Sequence, residues 1–145
     1  LSGFLTGTGR NYLLDLLCRA VQAPQNYYFA LIVNETPTHF LNGSELDEPT
    51  IAQYERVAYP NSPGNWSDRT EEMYNTSEIV FPVVEDIEPW PTIRHWGLLD
   101  APESGNLLWA GSFENPIELE TGDQLVLPVG SIVLRTTNYI TRVSL

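Results

Sequence analysis

Residues 93–113 read IRHWGLLDAPESGNLLWAGSF, and this stretch decides the fold class. Two runs rich in branched and aromatic side chains, 92–99 and 107–113, flank a connection containing Pro102 and Gly105, the composition of a β-hairpin. Setting Leu99 opposite Leu107 predicts Gly97 facing Trp109, His95 facing Gly111 and Ile93 facing Phe113. Large rings then lie over glycines, a favourable filling of a cross-strand slot.

Outward from the hairpin the strand period continues. On its C-terminal side apolar residues alternate in Ile117 and Leu119, in Leu125, Leu127 and Val129, and in Ile132 and Leu134. Turn signals separate them at 121–123 and Gly130. The tail 136–145 is a further strand or an extended arm. On the N-terminal side, 79–84 is an apolar strand that Pro82 confines to an edge or a bulge. Acidic residues Glu85, Asp86 and Glu88 then lead into a corner at Pro89, Trp90 and Pro91. Residues 27–33 form a strand, 34–49 a loop, and 51–59 a strand with Glu55 and Arg56 on its open face. Residues 60–77 hold two prolines and show no period, so they are expected as one long loop.

At the front, three glycines in residues 1–9 favour a flexible arm over a packed element. A short helix follows, with Leu13, Leu16, Leu17, Ala20 and Val21 at spacings of three and four. Asn11 or Thr8 would cap its start, and Pro24 lies beyond its end. About eight short strands and a single helix predict an all-β fold, a β-sandwich or jelly-roll-like barrel with one short N-terminal helix. The expectation is one domain over 1–145 with extended arms at 1–10 and 138–145.

Composition narrows the function. The content is 42% hydrophobic and 11% aromatic, which suits a packed core. The net charge of −12 comes from 19 acidic residues against seven basic ones, every one of them arginine. Such a field repels phosphate backbones, so nucleic acid is not an expected partner. No apolar run approaches the ~20 residues that span a bilayer, and 1–10 does not read as a signal peptide. The lone cysteine, Cys18, has no internal disulfide partner and is expected to be buried by the helix.

Catalytic chemistry finds little support. His95 sits mid-strand between Arg94 and Trp96, where a hydrogen-bonded structural histidine is expected, and His39 lies in a predicted loop without a nucleophile pattern. No phosphate-cradling glycine loop and no G-x-S-x-G elbow occur. One cysteine and two histidines do not make a structural zinc site. Asp47 with Glu48, and Asp86 with Glu88, read as solvated acidic faces and not as a calcium loop. Neither an enzyme activity, a metal nor a cofactor is expected. Four N-glycosylation sequons, at Asn34, Asn42, Asn65 and Asn75, exceed the one or two that chance gives at roughly this composition, and keep a secreted glycoprotein binding module as an alternative.

Several segments resemble a known family in order and spacing. They are NYLLDLL from Asn11, YYFALIVNETPT from Tyr27, GSELDEPTIAQYERVAY from Gly43 with its Tyr-x-Arg motif, SEIVFPVV from Ser77, the hairpin from Ile93, and ETGDQLVLPVGSIVL from Glu120. The chain resembles the small tailed-bacteriophage virion proteins commonly labelled tail fibre proteins, and the likeness covers most of its length. The family loop carries two adjacent glycines where this chain has Ser104 and Gly105. The resemblance implies a non-enzymatic virion component, made in the cytoplasm of a host bacterium.

Within a virion, the expectation is a capsid cement protein on the outer shell, binding the major capsid protein and copies of itself as a homotrimer. The alternative is a tail-fibre or receptor-binding subunit. Contacts are expected from the arms and the long loop, through Phe4, Leu5, Arg10, Trp66, Met73, Tyr74, Tyr139 and Ile140, with avidity among many copies holding the assembly.

Overall fold

The two runs of 93–113 pair as a hairpin and form the middle of a larger sheet. A computed structural model of the chain describes residues 2–33, 43–50, 53–68, 72–85 and 90–136. Its elements are β1 (Ser2–Leu5), α1 (Gly7–Cys18), β2 (Asn26–Ile32), β3 (Val57–Pro60), β4 (Glu72–Tyr74), β5 (Ile79–Val80), β6 (Ile93–Leu99), β7 (Leu107–Ile117), β8 (Val126–Leu127) and β9 (Val133–Arg135). Seven strands make one curled mixed sheet in the order β3-β2-β6-β7-β1-β9-β4, with β1 and β9 its parallel pair; β5 and β8 form a second, two-stranded sheet. The fold is all-β with one short helix, as expected.

The hairpin register differs from the simple expectation. Leu99 does face Leu107, but a bulge at Leu108 then sets Leu98 opposite Trp109, Gly97 opposite Ala110, Trp96 opposite Gly111 and His95 opposite Ser112. Rings over glycine survive with a different ring. Trp96 lies across Gly111 on β7 and Gly3 on β1, which pair with each other. A Cβ added at Gly111 would come within 2.6 Å of the indole, and one at Gly3 within 2.4 Å.

The bulge has a cause far away in the chain. The Thr6 backbone N–H donates to the Leu108 carbonyl at 2.9 Å, and the Thr6 hydroxyl reaches the carbonyls of both Leu107 and Leu108. The same hydroxyl oxygen accepts the Gly9 N–H at 2.9 Å, which makes Thr6 the N-cap of α1 in place of Thr8 or Asn11. Gly9 is the only residue of α1 that is fully buried, and a Cβ there would meet the Leu108 carbonyl oxygen at 2.2 Å. Residues 2–10 are therefore no free arm. Glycine serves close approach here, not flexibility.

Because α1 docks through its first turn, its leucine stripe runs out past the sheet. Leu14 is 59% exposed and Leu17 81%, and Cys18 is exposed as well, reversing the expectation of burial.

The curled sheet is closed by segment 60–77, which is not one open loop. It holds a 3-10 turn at Pro63–Asn65 and the edge strand β4. The Tyr59 hydroxyl on the opposite edge strand donates to the Asn65 carbonyl and accepts from the Thr76 and Ser77 N–H groups at 3.1 and 3.2 Å. Trp66 bridges to Asn75, and its ring stacks edge-on against Tyr59 at 5.0 Å. Ser67 satisfies both backbone groups of Tyr74, so the outer edge of β4 is blunted against strand addition.

The main core lies inside the curl, where Phe29, Leu31, Ile93, Trp96 and Leu98 meet Ile79, Phe81 and Leu127 from the small sheet. A second cluster of Ala30, Leu99, Leu107 and Ala110 lies under Phe4 and Leu46.

Candidate functional site

The Tyr-x-Arg motif is the most heavily bonded polar point among the described residues. Only 57–59 of the expected strand 51–59 is a strand among the described residues, and Arg56 is not on an open face: it is 9% exposed. All five guanidinium N–H donors are used. Nε and Nη2 grip the Glu48 carboxylate at 3.0 and 2.8 Å, Nη1 donates to the Ala101 and Ser104 carbonyls at 2.9 Å each, and Nη2 also reaches the Gly43 carbonyl at 3.3 Å. The Tyr54 hydroxyl donates to the same Glu48 carboxylate at 2.6 Å and accepts the Leu31 N–H at 3.0 Å. Burial and the negative Glu48 beside it hold the Tyr54 phenol far above its usual range, so it stays protonated and donating.

Glycine is required at the same point. The Gly43 N–H donates to the Gly105 carbonyl at 2.9 Å, and a Cβ at Gly43 would meet the Ser104 carbonyl oxygen at 1.8 Å. Ser104, next to Gly105, sits at φ 51°, the left-handed conformation that favours glycine. The hub thus ties Gly43, Glu48, Tyr54 and Arg56 to one another and to the tip of the β6–β7 hairpin. Above it opens a depression of about 420 Å³, lined by Asp47, Glu48, Glu55 and Glu103 among others. Its one arginine, Arg56, is saturated by the contacts above.

His95 is structural too. His95 Nδ1 lies 2.8 Å from the Ser112 hydroxyl across the hairpin, the hydrogen-bonded role expected of it. His39, Asp86 and Glu88 lie outside the described residues. Two of the sequon asparagines are committed to the fold. Asn75 is fully buried, its amide donating to the Ser77 and Pro128 carbonyls at 2.8 and 2.9 Å while its carbonyl accepts from the Ile132 N–H at 2.9 Å. Asn65 holds the 3-10 turn by donating to Ser62 Oγ at 2.9 Å. Asn34 and Asn42 lie outside the described residues.

The expected contact residues are scattered. Leu5 is 2% exposed inside the sheet and is not available to a partner. Phe4 is partly buried over the second core cluster, Met73 is half-buried, and Trp66 is half-buried in a ring cluster with Phe29 and Tyr59. Arg10 on α1 and Tyr74 on β4 are exposed. Tyr139 and Ile140 lie outside the described residues. What sequence reasoning missed is a set of exposed aliphatics: Leu14 and Leu17 on α1, and Val80, Val83, Val126 and Val129 on and beside β5 and β8. Helical spacing had marked Leu17 as core, because apolar periodicity does not say whether a partner element exists.

No curated protein matches the chain. A family model described as "Podophage GP4 fiber I protein gp80" matches residues 5–135, from the end of β1 to the end of β9. The match takes in the Thr6 cap, the Arg56 hub and the whole hairpin, and the chain belongs to this family of podophage fibre proteins.

Proposed function

We propose that the chain is a non-enzymatic structural subunit of a podophage fibre, carried on the tail. The observation that carries this reading is the family match across the whole described fold, bearing a fibre description. The structure supports it through what its distinctive residues do. Arg56, Glu48, Tyr54 and Gly43 are held by internal hydrogen bonds and Trp96 is fully buried against glycines, which suits a rigid building block better than a reactive centre.

Head decoration is less favoured than the sequence suggests. The N-terminal arm on which it leaned is an inner strand bonded on both sides. A secreted glycoprotein is less favoured as well, because the buried Asn75 amide is not open to glycan transfer in the folded chain.

Immunogold electron microscopy of intact virions, with antibody raised against the purified subunit, tests the reading. Label on the tail fibres is expected. Label spread over the shell with bare tails would replace the fibre by the cement role.

A further inference from the structure

Two exposed apolar surfaces on this subunit carry opposite charge. One is α1, whose Leu14 and Leu17 stand 59% and 81% exposed. Residues 7–21 hold Arg10 and Arg19 against a single acid, Asp15, and Arg19 pairs with Asp15 at 3.7 Å, so Arg10 is the net positive charge of this surface in a chain of net charge −12. The other surface surrounds the small sheet. Val80 and Val126, 41% and 37% exposed, are direct cross-strand partners. Beside Val80 runs an open groove of about 630 Å³, lined by Tyr28, Glu55, Arg56, Ala58, Val80 and Pro82 among others, its one arginine being committed to Glu48. Its own acid, Glu55, is exposed, exposed Glu78, Glu85, Glu120 and Asp123 lie within a few residues in sequence of its lining residues Val80, Phe81, Pro82 and Gln124, and no basic residue occurs in 78–85 or 118–130.

We propose that these surfaces dock on each other between copies: α1 of one subunit lays its leucines into the groove beside Val80 of the next, with Arg10, on the same helix face as Leu14 and Leu17, toward the carboxylate rim. This rests on reading the chain as a repeated virion subunit. The two surfaces belong to different parts of one molecule, α1 on β7 and the groove at β3 and β5, so one subunit does not satisfy both by itself. A contact of unlike patches is head-to-tail, and it builds rings or filaments according to whether the rotation closes. Helix-to-helix pairing is the poorer match. It would bring the arginines of two copies together over a seam only 12 residues long.

The test is complementation between two surface variants of the full chain. Sedimentation of the wild-type protein should show concentration-dependent association that weakens as salt is raised. Leu17→Glu and Val80→Glu should each weaken association roughly tenfold or more. Each retains one intact surface, so an equimolar mixture should form a one-to-one pair. Both positions are exposed, and unchanged circular dichroism with an unchanged urea midpoint verifies the fold. A wild-type chain that stays monomeric, a Val80→Glu variant that associates normally, or variants that fail to complement would each overturn the proposed contact. Fibre labelling of virions is read separately, so a failed contact leaves the fibre reading standing.

Discussion

The β6–β7 hairpin and helix α1 both announce themselves in the sequence through apolar periodicity, and the fold treats them in opposite ways. In the hairpin the large aliphatic side chains and Trp96 are buried from both faces: Ile93, Trp96, Leu98, Leu99 and Leu107 are at most 1% exposed, while Trp109 and Phe113 are partly buried against the core. In α1 the same kind of periodicity ends in solvent. The difference lies in what covers each element. The hairpin has neighbours on both edges and cores on both faces, whereas α1 is held by its Thr6 cap and by Gly9 against the Leu108 carbonyl. Regular spacing predicts the element; the presence of a partner surface decides burial.

The comparison can be broken most severely at the hub that locks the hairpin tip. Arg56→Ala should destabilise the chain by about 3–5 kcal/mol in urea unfolding, because it strands a Glu48 carboxylate that shares a partly buried site with Tyr54. Gly111→Ala should cost about 1–3 kcal/mol by the same measurement, since the added methyl group meets the Trp96 indole within 2.6 Å. Thr6→Ala should cost about 1–2 kcal/mol, through loss of the helix cap and of its bonds to the bulge.

Leu17→Gln sits at the other end of the comparison. It should shift the stability of the monomer by about 0.5 kcal/mol or less, because the residue is already in water.

Alkaline pH gives a finer contrast. Burial, then Tyr27 and Asp100, push the Tyr12 phenol up to about 12, and burial and Asp100 raise Tyr27 as well. A raised folded pKa means that the unfolded chain releases these protons first. The contribution is whole below about pH 10 and is lost as pH rises toward 12. Urea midpoints should therefore fall over that window, and Tyr12→Phe should fall less steeply.

The hairpin, the small strands near 79 and 126, and the all-β class were legible because period two and turn residues are local signals. The register was not. The bulge at Leu108 answers to Thr6, about a hundred residues away, and no local pattern carries that bond. Gly3 and Gly9 misled for a related reason, since a glycine read without its neighbours suggests freedom. Here Trp96 and the Leu108 carbonyl occupy the space a side chain would need. Arg56 looked like an open-face residue because its acceptors at Gly43, Ala101 and Ser104 come from two distant loops.

Hydrogen exchange, compared between free subunit and subunit assembled in virions, tests the central claim most directly. The claim is that the motif residues hold the fold while the exposed aliphatics make the contacts. Slowed exchange on assembly is expected at α1 and around 79–84 and 125–129, with the hairpin and the Arg56 hub unchanged because they are already satisfied. New protection confined to 43–56 and the hairpin tip, with α1 and the small sheet unaffected, would contradict it.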